Sequence, residues 1–198
     1  MSHAAKDPRP GAPYRVMPNA HLRRGALCVS ALQPRHIEAV RIWRNAQMDV
    51  LRQTHPITAA AQRAYFETHV WPEKPRDTPR QILLAIAREG TLIGYGGLVH
   101  IDWPSRRAEV SFLVDPALER QPKARAEVFL GYLKLVQNLA FDDLSLNRLT
   151  TETYAQRTGH IDTLEAAGFR LEGTLREHVV IDGTKTASLL HGILASDL

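Results

Sequence analysis

Hydrophobic positions recur with two periods along the chain, and each period predicts a different kind of element. Apolar residues that alternate with polar ones are typical of strands with one buried face. This pattern predicts strands over residues 25–32, 81–88, 91–101, 106–114, 146–154, 169–181 and 185–194. Apolar residues three and four positions apart predict helices over residues 34–45, 59–70, 124–141 and 160–167.

Turn residues between these elements predict how the strands are connected. Glu89-Gly90 and residues 102–105 separate three consecutive strands, and Asp182-Gly183 separates the last two, so both regions are predicted to be antiparallel. Three glycines within residues 94–97 interrupt one strand, which indicates a bulge or a close approach of another backbone. The order of strands and helices predicts the α+β class.

Residues 1–24 differ from the rest of the chain because they are rich in Pro, Arg and Ala and show no apolar periodicity. They also lack the apolar core of a signal peptide. We expect a mobile tail or a strap across the surface here, and one domain over residues 25–198. Function is not expected in the extension.

Composition narrows the class of protein. The 198 residues are 44% hydrophobic and 23% charged, with a formal net charge of +4, which is ordinary for a globular protein. Arginine is spread along the sequence, so no nucleic-acid partner is expected. No apolar run reaches the ~18 residues that span a membrane. The single cysteine, Cys28, excludes an internal disulfide and a cysteine metal site, which favours the cytoplasm.

The stretch from Arg107 to Glu127 is the first candidate for chemistry. A strand ends at Asp115-Pro116, a charged loop follows over residues 117–123, and a long amphipathic helix then begins. A helix N-terminus after a strand presents unpaired N–H groups and the positive end of the helix dipole. This arrangement predicts an anion site.

Three stretches of the sequence resemble the GNAT family of acyl-CoA-dependent N-acyltransferases. They are residues 108–116 (AEVSFLVDP), residues 146–150 (LNRLT) and residues 161–178, with LEAAGF and EGTLREH. The last stretch is similar to the ending of the ribosomal-protein acetyltransferase subfamily. The resemblance covers roughly residues 25–198. It implies the GNAT fold, a mixed and mostly antiparallel twisted sheet flanked by helices.

The resemblance also implies acetyl-CoA as co-substrate and no metal. In the family, a strand that corresponds to residues 108–116 pairs with the pantetheine arm of CoA. The backbone of Phe112, Leu113 and Val114 is therefore the expected contact, which requires no particular side chain.

The pyrophosphate loop departs from the family pattern. Residues 120–125 (RQPKAR) stand where the family has a glycine-rich loop, with Lys123 and Arg125 in place of glycines. Pro122 also removes one N–H donor. Two interpretations remain open: Arg120, Lys123 and Arg125 bind phosphates through their side chains, or the loop no longer binds CoA in the usual way.

Transfer of an acetyl group to an amine requires a base, and an acid for the departing thiolate. Glu109 lies on the strand where several family members carry a glutamate base; the alternative is an ion pair with Arg107. The tyrosine that often serves as the acid corresponds to Leu164, which has no proton to give. Tyr154 and His160 are the candidates for this role.

The acceptor is suggested by a further resemblance. Trp43-Arg44-Asn45, followed by Tyr65, is similar to bacterial enzymes that acetylate nucleotide-linked amino sugars, in which a Trp-Arg-Asn signature ends the first helix. These four residues are the expected substrate-binding residues. The alternative is that Trp43 belongs to the core and Arg44 is solvated.

Three functions therefore remain open at this point. The first is acetylation of a small amine, such as a nucleotide-linked amino sugar, and the second is acetylation of a protein N-terminus. The third is a GNAT-like binding module that has lost acetyl transfer. A monomer or a homodimer is expected.

Overall fold

A computed structural model describes residues 10–51 and 53–198, and one mixed sheet of eight strands runs through them. The strands are β1 (His21–Arg24), β2 (Leu27–Ala31), β3 (Ile82–Arg88), β4 (Thr91–Asp102), β5 (Arg107–Val114), β6 (Arg148–Tyr154), β7 (Arg170–Ile181) and β8 (Thr184–Leu194). Their order is β1-β2-β3-β4-β5-β6-β8-β7. β5 and β6 are parallel, and the other neighbours are antiparallel.

Helices cover both faces of this sheet. They are α1 (Ile37–Asn45), α2 (Ala59–Tyr65, continued by a π turn over Phe66–Val70), α3 (Pro116–Glu119), α4 (Pro122–Asn138, continued over Leu139–Asp143) and α5 (Thr158–Ala166). The larger core lies under α4 and α5 and includes Phe129 and Leu133. The smaller core lies under α1 and α2 and includes Val40 and Trp43. No helix in the described ranges is long and apolar enough to span a membrane.

β5 and β6 separate after a short stretch of pairing. Their register runs only from Arg107 opposite Arg148 to Glu109 opposite Thr150, although β5 continues to Val114. Because the C-terminal ends of parallel strands meet at one edge, α4 and α5 both begin at the open end of this split. The sheet therefore has a wedge-shaped opening with two helix N-termini beside it.

The glycines of β4 confirm the predicted close approach. A Cβ at Gly96 would collide with the carbonyl oxygen of Ser111 and with the Tyr132 hydroxyl. Tyr132 uses this space to donate a hydrogen bond of 2.7 Å to that carbonyl oxygen. Gly97 has φ +141, which favours glycine, and its α-carbon lies against the backbone of Ile82. The predicted bulge is also present, where β4 slips in register opposite β3.

Four features of the fold were not predicted from the sequence. The loop expected over residues 117–123 contains the helical turn α3, because the Asp115 carboxylate caps the Ala117 N–H and Pro116 takes the first helical position. α4 begins at Pro122, which likewise takes the first helical position, although the N-cap residue Gln121 makes no side-chain cap. β1 was not predicted, and β8 lies between β6 and β7 although the chain reaches β7 first.

The N-terminal segment packs against the domain over its described part. Tyr14 is 1% exposed and Met17 is buried, both within the larger core. The Lys74 ammonium donates to the carbonyl oxygens of Pro10, Ala12 and Leu32 at 2.6–2.8 Å. Residues 1–9 of the expected extension lie outside the described residues.

Candidate functional site

A passage through the sheet follows the split between β5 and β6, and it consists of three connected cavities. The α1 cavity, below α1 and α2, has a volume of about 490 Å³. The central cleft between β5 and β6 has about 370 Å³, and the α4 cavity at the N-termini of α4 and α5 has about 850 Å³. The α1 cavity and the cleft share Arg44, Leu51, Val99, Ser111 and Phe112; the cleft and the α4 cavity share Val50, Arg157 and His160.

Two carboxylates lie in the central cleft, one from each separating strand. The Glu109 side chain on β5 is 26% exposed, and its Oε2 lies 3.0 Å from His100 Nδ1. Glu152 on β6 is 16% exposed, and its Oε1 lies 3.5 Å from His178 Nε2. The alternative ion pair of Glu109 with Arg107 stays a prediction; the Arg107 guanidinium contacts Asp102 at 3.1 Å.

Hydroxyl groups complete the wall of the cleft. The Ser111 Oγ and the Thr151 Oγ1 are buried, and neither has a hydrogen-bond partner within the ranges that the structure describes. Tyr154, a candidate acid, is 8% exposed and also lines the cleft. An unpaired buried hydroxyl is costly, so these two groups are unusual features of the cleft wall.

His160, the other candidate acid, lies in the first turn of α5 and packs against α4. Its ring stacks on Phe129 with centroids 4.2 Å apart, and its Nδ1 accepts a hydrogen bond of 2.5 Å from Arg125. Burial, with the positive charges of Arg157 and Arg125, lowers the pKa of His160 well below its ordinary value. The imidazole is therefore neutral near pH 7 and serves as a wall and an acceptor.

The first turn of α4 offers a reduced set of backbone donors. The N–H groups of residues 117–121 all donate within the α3 segment, and the Arg125 N–H donates to Gln121. Pro122 has no N–H. The N–H groups of Lys123 and Ala124 lie in the first turn of α4, where no preceding helical turn supplies acceptors.

The cations predicted for this loop fall into two groups. Arg120 and Lys123 are exposed, and Lys123 lines the α4 cavity. Arg125 is 6% exposed, and its Nε donates to Glu119 at 2.9 Å. Arg157 also donates to Glu119, at 3.3 Å, and burial lowers its pKa. Glu119 thus joins the α3 turn to α4 and α5. A glycine-rich loop has no side chain that could make these contacts.

The α1 cavity is apolar apart from a few polar groups, and Arg44 is the one charged residue among its described lining residues. The Arg44 Nη1 donates to the Tyr95 hydroxyl at 2.9 Å, and its Nε donates to Gln53 at 3.1 Å. Burial raises the pKa of Tyr95, so its hydroxyl stays neutral. These bonds hold the guanidinium at the junction with the central cleft.

The four predicted substrate-binding residues are divided by the structure. Arg44 and Tyr65 line the α1 cavity, and Tyr65 is 45% exposed at its rim. Trp43 packs in the smaller core. Asn45 bonds both the N–H and the carbonyl oxygen of Ile57, at 2.8 and 2.9 Å, and so orders the segment after α1.

The predicted pantetheine strand lies along the split. Phe112 lines both the α1 cavity and the cleft, and its ring packs on Phe129 with centroids 4.3 Å apart. Leu113 and Val114 are buried on opposite faces of the sheet. Beyond Glu109 the β5 backbone has no pairing with β6 in the described strands, so this edge is open to an added strand as far as Val114, whose carbonyl oxygen accepts a hydrogen bond of 2.9 Å from the Gln47 amide.

Sequence reasoning missed His100, Glu152 and Tyr95 as site residues. Glu152 alternates with Tyr154 on a predicted strand, so it gave the same signal as many solvated strand residues. Tyr95 lies among the β4 glycines, and that cluster indicated only a bulge or a close approach of another backbone. His100 has a left-handed φ of +50, which no sequence pattern indicates.

Comparisons with known proteins concern the family and the fold of this chain. The model of a family described as "Acetyltransferase (GNAT) domain" matches residues 29–190. No curated protein matches the chain.

Solved structures share the fold at low sequence identity. A spermidine N-acetyltransferase from Vibrio cholerae, in complex with CoA and spermine, is 20% identical with a TM-score of 0.76, over 88% of this chain and 98% of that one. A dodecameric structure of spermidine N-acetyltransferase from the same organism is 19% identical with a TM-score of 0.72, over 87% of this chain and 96% of that one.

Proposed function

This chain belongs to the GNAT acetyltransferase family and is an N-acetyltransferase with acetyl-CoA as co-substrate, and we propose that it acetylates a small primary amine in the central cleft. The observation that carries the proposal is the passage through the sheet. The passage joins the α1 cavity, which has one arginine among its described lining residues, to the central cleft. Two carboxylates line this cleft, Glu109 on β5 and Glu152 on β6.

Acetyl-CoA fits the passage from the α4 side. The split leaves the β5 edge free beyond Glu109 to pair with the pantetheine arm. The N–H groups of Lys123 and Ala124, with the exposed side chains of Arg120 and Lys123, would hold the phosphates. When bound, the co-substrate supplies the acetyl group as a thioester. Arg125 would act indirectly, because its guanidinium orders Glu119 and His160.

Glu109 would be the general base. Its carboxylate lies in the cleft, where the ammonium group of an acceptor has to lose a proton before its nitrogen can attack the thioester carbonyl. Tyr154, on the opposite strand, would give its proton to the departing thiolate. His160 is less suited to this role, because a neutral imidazole is a weak acid.

Arg44 indicates the kind of acceptor. A guanidinium in the wall of an apolar cavity favours a molecule with an anionic group and disfavours a polycation. A nucleotide-linked amino sugar carries both the amine and the phosphates. In this arrangement its amine would lie near Glu109 and an anionic group near Arg44.

Acetylation of a polyamine is the second candidate. The spermidine N-acetyltransferase that shares the fold was solved with spermine. Glu109 and Glu152 are both able to receive ammonium groups in the cleft. Against it, the described lining of the α1 cavity contains no carboxylate.

Release of CoA thiol from acetyl-CoA, measured over a panel of amines, tests the proposal. The panel contains a nucleotide-linked amino sugar, an uncharged amine, spermidine and a peptide with a free N-terminus. We expect the amino sugar to have the highest kcat/KM. Arg44→Leu should lower that value by roughly 10- to 100-fold, as expected for a charge-assisted hydrogen bond, and leave the uncharged amine little changed.

Other results would contradict this assignment. Preference for spermidine would favour the polyamine, and preference for the peptide would favour the protein N-terminus. A shift of the melting temperature with acetyl-CoA, but no turnover of any amine, would contradict the assignment to amine acetylation.

A further inference from the structure

His100 is held against Glu109 at the mouth of the central cleft. The distance from His100 Nδ1 to Glu109 Oε2 is 3.0 Å, which is a hydrogen bond. The His100 side chain is 71% exposed, whereas the Glu109 side chain is only 26% exposed. The imidazole therefore stands between the carboxylate and bulk water.

The backbone of β4 places this side chain. The pairing of β4 with β5 shifts in register between Val99 and Asp102, and His100 lies in that irregular stretch. Its φ of +50 is in the left-handed region that side chains other than glycine rarely adopt. A strained residue beside a cleft is a common feature of functional sites. In regular β4 pairing, this residue would not take that conformation.

Acetylation of an amine has a proton balance that the cleft has to meet. An ammonium group loses two protons when its nitrogen forms an amide bond and the carbon–sulfur bond breaks. One proton leaves with the thiolate as CoA thiol. The other has to reach the solvent, and an occupied cleft separates Glu109 from bulk water on its inner side.

We propose that His100 is the proton relay from Glu109 to the solvent. In the resting site the His100 Nδ1–H donates to the Glu109 carboxylate. After Glu109 takes the proton from the ammonium group, exchange with water shifts the ring hydrogen from Nδ1 to Nε2, and Nδ1 then accepts the proton from Glu109. The imidazolium releases its Nε2 proton to water, which restores the starting tautomer. This role depends on the assignment of Glu109 as the base under the proposed function.

Other ionisable groups around the pair contribute to any dependence on pH. Across the cleft, Glu152 faces the pair and itself contacts His178. Beside the bulge, Asp102 and Arg107 form their own ion pair. Among the residues that the structure describes, the other titratable or charged side chains of the cleft wall are Arg44, Tyr154, Arg157 and His160.

The test is His100→Asn, because asparagine tolerates a left-handed φ and cannot carry the proton. We expect kcat to fall about tenfold, with the KM values of acetyl-CoA and amine unchanged. Added imidazole should restore kcat with saturation, and the solvent isotope effect on kcat should rise. A merely structural role of His100 predicts neither the rescue by imidazole nor the rise of the solvent isotope effect.

His178→Asn is the matched control, since His178 also contacts a cleft carboxylate, and its kcat should change by less than about twofold. Equal losses in both variants, or no rescue of His100→Asn by imidazole, would overturn the relay. Full activity of Glu109→Gln would remove the base itself. An inactive Glu109→Gln with an unaffected His100→Asn would keep the base and reject the relay.

Discussion

Glu109 and Tyr154 come from two strands that pair only over their first residues. That pairing fixes the strand ends relative to one another, while the separation beyond it leaves space for a substrate between the two side chains. Glu109 is linked to an exposed imidazole, and Tyr154 is 8% exposed. A partly solvated carboxylate such as that of Glu109 suits the acceptance of a proton. A buried phenol such as that of Tyr154 suits the donation of one.

Tyr154→Phe tests the acid. We expect kcat to fall about a hundredfold, because the thiolate would leave without a proton donor, while the affinity for acetyl-CoA should stay unchanged. Unchanged thermal melting is the check on folding, and an unchanged kcat would remove Tyr154 from this role.

At the scale of elements, α3 changes the character of the anion site. A glycine-rich loop offers several free N–H groups, but here residues 117–121 use theirs to build a helical turn. Glu119 on that turn then binds Arg125 and Arg157, which ties α3 to α4 and α5. Residues 117–125 therefore offer few free backbone donors. They contain the ion pairs of Glu119 and two exposed cations, Arg120 and Lys123.

This arrangement predicts that CoA binding depends strongly on salt. The double variant Arg120→Ala/Lys123→Ala should raise the Kd of CoA roughly tenfold at low ionic strength, because it removes two exposed cations near the phosphates. The dependence of the Kd on salt should flatten at the same time. Titration calorimetry at two salt concentrations measures both effects.

The control is Arg176→Ala/Lys185→Ala, which removes two exposed cations from the β7–β8 hairpin. It should leave the Kd of CoA unchanged. An equal weakening in both double variants would mean that only the net charge of the protein matters.

At the scale of the whole molecule, Lys74 joins the N-terminal segment to the domain. Lys74 is 1% exposed; its ammonium lies 4.7 Å from the ring centre of Trp71 and donates to three backbone carbonyls from two separate parts of the chain. Lys74→Met should lower the free energy of unfolding by about 3 kcal/mol, because those carbonyls lose their donor. Urea denaturation measures this loss.

The control is Lys185→Met, which removes an exposed ion pair with Glu177 and should change stability by less than ~0.5 kcal/mol. Equal effects of the two substitutions would contradict a structural role for Lys74.

The dependence of stability on pH gives a second test of Lys74. Burial lowers the pKa of Lys74 from 10.5 to about 8. Between these values the unfolded chain binds more protons than the folded chain, so the contribution of Lys74 to stability rises as the pH rises. The stability difference between wild type and Lys74→Met should therefore increase from pH 8 to pH 10. A constant difference would contradict the lowered pKa.

The sequence by itself determined the elements and the family. Alternation and helical spacing placed most strands and helices within a few residues, because the side chains that bury a face are local in sequence. Thr58 caps α2, and Gly168, at φ +100, follows the end of α5. Short resemblances to known enzymes predicted Glu109 and Arg44 as site residues, and both residues line the passage.

Only the tertiary structure decided how these parts meet. The pairing of Glu109 with His100 depends on a register shift in β4, and the placement of Glu152 depends on the separation of β5 from β6. Arg125, predicted to face phosphate, turns inward to Glu119 because α3 replaces a loop. These outcomes rest on contacts between residues distant in the chain, which hydrophobic periodicity cannot specify.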